Sequence, residues 1–293
     1  MLVRCAGLLA ALALALASAS AARAQERPTV RIGWTAWSDA EFVTRLAARI
    51  LEQRMGQDVE LVQTDIAPQY QGVASGDIDV MLMSWLPSTH ADYMDKVGRR
   101  VVKLGILYDH ARLGWIVPAY VPEERLAAIG DLAKPGVREK LGGRIVGIDP
   151  GAGLTRLSRE AIGSYGLDGY ELEISSGAAM TAALGRAIDN EQWIVVTGWS
   201  PHWKFGKWDL RYLEDPRDAL GSWERIHAVA RRGFYQDNIE AATMLARMYI
   251  PIEQLQTYMF EATRHEEDGY EKAVTRYIEE HEARVEYWVT GDM

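Results

Sequence analysis

Apolar and polar positions along this chain switch repeatedly between two periods. Residues 30–33 and 58–62 are short apolar runs of strand length, and between them residues 39–55 set Phe42, Leu46 and Ile50 at four-residue spacing, a helical stripe that Gly56 ends. A short helix over 68–74 and a strand over 79–84 complete a β-α-β-α-β unit. The pattern then returns: strand 144–148, helix 154–165, strand 171–174, helix 178–188, strand 193–197. Two such units in series predict two lobes, each a mostly parallel sheet flanked by helices. Apolar extended pieces at 114–120 and 226–230 read as crossings, so residues 25–116 and 223–293 are expected to form lobe one and 117–222 lobe two, with crossings near 117 and 222. A ligand is expected in the cleft between them.

The first 24 residues read as an export signal: Arg4, then an apolar core from Leu8 to Ala17, then Ala22-Arg23-Ala24 as a small-x-small cleavage site. That core falls short of the roughly 20 residues a membrane span needs. The single cysteine, Cys5, precedes the core, so the mature chain holds no thiol and no disulfide. A periplasmic location fits. The net charge of −9 becomes more negative when Arg4 and Arg23 leave with the signal, and an acidic chain without a basic stripe argues against nucleic acid.

Ten tryptophans are many for 293 residues. Two of them stand out. Trp85-Leu86-Pro87-Ser88-Thr89-His90 and Trp199-Ser200-Pro201-His202-Trp203 each place an indole at the end of an apolar strand, ahead of a proline that stops it. The carboxyl ends of strands face the ligand crevice in α/β proteins. With a third ring from Trp34 or Trp37, these residues have the parts of an aromatic box for a quaternary ammonium group. Gly147-Ile148-Asp149-Pro150-Gly151-Ala152-Gly153-Leu154 reads as strand, glycine turn and helix start, which aims free N–H groups near Gly153 and Leu154 at an anion. His90 can donate across the cleft or cap the next helix; His202 is expected to hold the matching loop. No P-loop, dinucleotide fingerprint, serine elbow or metal spacing is present, so no cofactor, metal or catalytic residue is expected. Asp39, Asp79 and Asp149 read as the ordinary yield of an acidic chain.

Taken in order, A-W-S-D at 36–39, S-G-D-I-D at 75–79, W-L-P-S-T-H at 85–90, G-I-D-P-G-A-G-L at 147–154, S-G-A-A-M-T-A at 176–182 and T-G-W-S-P-H-W at 197–203 resemble the glycine betaine-binding proteins of osmoprotectant ABC importers, in their OpuAC-type branch. The resemblance implies a type II two-lobed periplasmic binding protein rather than an enzyme. It implies a three-tryptophan prism for trimethylammonium at Trp37, Trp85 and Trp199, with Trp34 the other candidate for the third wall. It also implies that the backbone amides of Gly153 and Leu154, together with His90, hold a carboxylate. The expected partners are a small zwitterion and the permease subunits of an inner-membrane importer, served by a monomer. Choline, carnitine, proline betaine or dimethylsulfoniopropionate remain alternative ligands. A periplasmic enzyme acting on methylated amines and a sensor subunit are the readings from other classes.

Overall fold

The computed structural model describes residues 28–292, so the expected export signal and Cys5 lie outside the described residues. The first unit runs β1 (Val30–Trp34), α1 (Ser38–Met55), β2 (Val59–Gln63), α2 (Ile66–Ser75) and β3 (Val80–Leu86). After α3 (Ala91–Val97), the 18-residue strand β4 (Val101–Pro118) leads to α4 (Pro135–Leu141). The second unit is β5 (Arg144–Val146), α5 (Gly153–Ser164), β6 (Glu171–Glu173), α6 (Gly177–Asp189) and β7 (Val196–Ser200). Then come α7 (Lys204–Lys207), β8 (Leu210–Tyr212), β9 (Glu224–Arg231) and a helical tail, α8 (Phe234–Asp237), α9 (Ile239–Arg247), α10 (Ile252–Ala262), α11 (Gly269–Glu280) and α12 (Glu282–Thr290). Among the described residues no helix is long and apolar enough to cross a membrane.

Each lobe keeps the three-stranded parallel core that its β-α-β-α-β pattern predicts, β2-β1-β3 in one and β6-β5-β7 in the other. Antiparallel strands extend both cores into mixed sheets. β9 pairs with β3 and β4, and β4 in turn pairs with β7 and β8. One strand therefore serves both lobes: β4 lies against β9 from Val101 to Ala111 and against β7 from Arg112 to Ile116. The exchange falls at a bulge where His110 has φ 56°. The chain returns to the first sheet at Glu224. The apolar pieces read as crossings are thus the second-lobe half of β4 and most of β9.

Both tryptophan-bearing strands run further than their apolar runs alone predict. β3 continues through Trp85 to Leu86, and β7 is displaced toward the C-terminus of 193–197, ending at Ser200. A continuous apolar run cannot fix where a strand ends. The prolines do: Pro87 and Pro201 lack the N–H a ladder needs and end each strand.

The far end of lobe one is tied by a single carboxylate. Asp79, 5% exposed in its side chain, accepts from the Arg31 amide (2.9 Å), from Arg31 Nε (3.0 Å) and from Arg231 Nε (2.6 Å), joining β1, the turn before β3 and the end of β9. Despite burial, these donors hold its pKa below the ordinary carboxylate value. A depressed pKa means stability that is complete above the unfolded value and lost as pH falls through the folded one. Asp79→Ala should lower unfolding free energy by about 1–3 kcal/mol at neutral pH and remove that acid-sensitive component. Urea titrations at neutral and acid pH measure both, and an unchanged midpoint would remove Asp79 from this role.

Candidate functional site

The carboxyl ends of the parallel strands in both lobes meet around one tight cavity of about 20 Å³, lined by Trp37, Trp85, Thr89, His90, Leu113, Ile148, Ala152, Gly153, Leu154 and Trp199. Of the residues singled out in the sequence, six converge here: Trp37, Trp85, Trp199, His90, Gly153 and Leu154. Trp34 does not line it. That ring is buried at the end of β1 with the Arg45 guanidinium 5.7 Å from its centroid.

Lobe one supplies Trp37 just before α1 and Trp85 from β3; lobe two supplies Trp199 from β7, beside Leu113 of β4. The rings of Trp37 and Trp199 lie 6.3 Å apart at 57°, close to the angle between adjacent walls of a triangular prism. A buried indole still needs an acceptor for its N–H. Each of these two finds one on the opposite lobe: Trp37 Nε1 donates to Asp149 Oδ2 and Trp199 Nε1 to Asp39 Oδ1, both at 2.9 Å. The other oxygen of Asp39 accepts from Tyr108 Oη at 2.6 Å. Burial raises the Asp39 pKa, and the Tyr108 and Trp199 donors oppose that rise. Tyr93 Oη to the Gly151 carbonyl (2.7 Å) and Arg156 to Asp92 (3.3 Å) add further bonds across the cleft.

The same cavity holds donors without acceptors, and the His90 ring stacks 6.3 Å from Trp37 at 28°. His90 caps α3, 1% exposed, and its Nδ1 accepts the Trp85 amide at 3.1 Å. That contact makes Nδ1 the acceptor and leaves the proton on Nε2, which has no partner among the described residues. Burial, with the Arg156 charge adding to it and the Met83 backbone opposing it, lowers the His90 pKa to about 3, so the ring is neutral at pH 7. The carboxylate of Glu224 accepts from the amides of Ser88 and Thr89 and from the Thr89 hydroxyl, which fixes the loop carrying His90.

Facing His90, the turn over residues 149–152 opens α5. The N-cap Ala152 offers no side-chain acceptor, so the amides of Gly153 and Leu154 project from the positive end of the helix. Gly153 is required by proximity: a Cβ there would lie 2.3 Å from the carbonyl oxygen of Thr89 in the other lobe. Behind Trp199, His202 packs edge-on at 4.7 Å, and its Nδ1 accepts the Lys204 amide at 3.1 Å, the loop-holding role its position predicts. Lys204 is fully buried, its Nζ 4.5 Å from the Trp199 centroid and without a hydrogen-bond partner among the described residues. Burial drives its pKa well below the usual lysine value.

Sequence reasoning missed the roles of Asp39, Asp149 and Tyr108, because their partners are distant in the chain. It also missed Glu224. Thr89 and Ala152 were flagged only as members of their motifs. Among the described residues no cluster of His, Cys, Asp or Glu could hold a metal ion. The arrangement sets ring faces and uncommitted N–H donors around one cavity.

Residues 28–280 match the family model for the substrate-binding domain of ABC-type glycine betaine transport systems, OpuAC. The glycine betaine/carnitine transport binding protein GbuC of Listeria monocytogenes is 37% identical over 163 residues, 54% of this chain; the match spans about half of that relative's length, 53%. Lactococcal OpuAC, solved closed with glycine betaine, superposes with a TM-score of 0.82 at 33% identity, over 89% of this chain and 99% of its own. A choline-binding protein of an ABC transporter, solved with choline, gives 0.81 at 25% identity over 90% and 92%. The chain therefore belongs to the OpuAC family, the substrate-binding proteins of ABC importers for glycine betaine and related compounds, and not to a family of enzymes.

Proposed function

We propose that this protein binds glycine betaine, or a closely similar quaternary ammonium zwitterion, in the periplasm and delivers it to the permease of an ABC importer. Trp37, Trp85 and Trp199 surround the trimethylammonium group, which has no N–H and is held by ring faces worth about 0.5–2 kcal/mol each. The carboxylate accepts from the amides of Gly153 and Leu154 and from His90 Nε2, charge-assisted bonds of about 1.5–3 kcal/mol each. The observation that carries this reading is the unpartnered, neutral His90 Nε2 beside a helix start on the same cavity as three indoles. An uncharged ligand end would leave those donors unmatched at a cost. Support for the location and partner comes from the signal-like first 24 residues and from the family.

Choline is the second reading, favoured by the likeness to a choline-bound relative. It carries the same cation but a hydroxyl in place of the carboxylate, so it can use only part of the donor set. Carnitine, named for the Listeria relative, carries both charges on a longer frame.

Isothermal calorimetry separates these readings. Trp199→Ala should weaken glycine betaine binding at least about tenfold, the loss expected for a cation–π wall and its packing. His90→Ala should weaken glycine betaine more than choline; equal losses would refute the carboxylate role. Because neutral His90 is already a donor, affinity should stay level from about pH 8 to pH 6, where an ordinary histidine would titrate.

Gly153→Ala tests closure separately from chemistry. The added methyl collides with the Thr89 carbonyl only when the lobes meet. The variant should keep its unliganded melting temperature while losing about tenfold or more in betaine affinity. Wild-type affinity in that variant would show that the Gly153–Thr89 approach is not part of the bound state.

A further inference from the structure

Lobe one carries a second concavity at the end opposite the indole box. It holds about 570 Å³, and its lining includes Arg31, Arg99, Arg100, Arg231, Arg232 and Asp237. Arg31 is near the amino end of β1, whereas Trp34 and Trp37 mark the carboxyl end; Arg99 and Arg100 precede β4, and Arg231 and Arg232 end and follow β9. Strand direction alone thus sets this pocket a full strand length from the cleft.

Two of the five guanidinium groups are neutralised. Asp79 binds Arg31 and Arg231, and Asp237 binds Arg231 at 2.7 Å, so two carboxylates answer two arginines. The other three are exposed and have no carboxylate partner among the described residues. What they touch is uncharged: Arg100 donates to the Val97 and Lys96 carbonyls (3.3 and 3.2 Å), and Arg232 reaches the Arg99 carbonyl (3.4 Å). These contacts orient the Arg100 and Arg232 forks without cancelling their charge. Three uncompensated cations therefore converge on one concavity in a chain whose net charge is −9.

We propose that this pocket is a binding site for a phosphoryl oxyanion. Planar guanidinium groups match the oxygens of a tetrahedral anion two at a time, and a multiply charged phosphoryl group would relieve the mutual repulsion of Arg99, Arg100 and Arg232. The Asp79 anchor keeps Arg31 and Arg231 in place as the inner wall. The same chemistry is offered by a soluble phosphate and by the headgroup of an anionic phospholipid. The site does not depend on what the indole box binds.

The test uses the full mature chain and the Arg99→Ala/Arg100→Ala/Arg232→Ala variant at about 0.15 M salt, where diffuse surface attraction is screened beyond about 8 Å. Calorimetry with inorganic pyrophosphate probes the soluble source. Co-sedimentation with phosphatidylglycerol vesicles, against phosphatidylcholine vesicles, probes the lipid source. Binding of either probe by the wild type, reduced about tenfold or more in the variant with an unchanged melting temperature, supports the site, and the probe that binds identifies the source. Failure of both probes, or equal binding by wild type and variant, overturns it.

Discussion

A tryptophan that turns its face to a cavity must still satisfy its N–H, and in this protein the acceptors for two of the box rings lie on the other lobe. Trp37 of lobe one donates to Asp149 of lobe two, and Trp199 of lobe two donates to Asp39 of lobe one. Separating the lobes would break both bonds. The orientation of the rings and the closure of the cleft are therefore one event. A ligand that prefers the assembled walls draws on the same two bonds, and its differential affinity for the closed form is what shifts the population.

Much of this was legible in the sequence, and what was not has physical causes. Apolar periodicity located both β-α-β-α-β units, because burial of a strand or helix face is a local demand. The prolines after Trp85 and Trp199 marked where two strands end. What periodicity could not supply was the sharing of β4 between two sheets, since one 18-residue strand with bulges reads as separate short runs. Nor could it tell Trp34 from Trp37, three residues apart at the same strand end. The backbone turn between them sends one ring beneath Arg45 and the other into the cavity. Asp39 and Asp149 looked like the surplus of an acidic chain. Their roles depend on partners 160 and 112 residues away, which no local pattern encodes.

The neighbours of the cavity also explain why its walls can be stiff. The Glu224 carboxylate binds two amides and a hydroxyl of the loop between Trp85 and His90, so that loop is held from the first strand of the returning chain. Trp199 is backed by His202 edge-on and by the buried Lys204 over its ring. Burial lowers the pKa of that lysine and so favours its uncharged form beside the indole.

The two lobes share one topology, and the site arises where that likeness breaks. In both, the third strand of the parallel core carries a tryptophan as its last residue but one, ahead of a proline turn, at Trp85 and at Trp199. The loops after the first strands differ. After β1 the chain carries Trp37 and Asp39, adding a ring and an acceptor; after β5 it carries Asp149, Pro150, Gly151 and Ala152, adding an acceptor and a helix start with open amides. Had both loops followed the first pattern, the cleft would be aromatic throughout and suited to a bare cation. Had both followed the second, it would hold an anion between two helix starts. One of each puts ring faces and N–H donors around the same cavity, the pairing of chemistries that the proposed zwitterion requires.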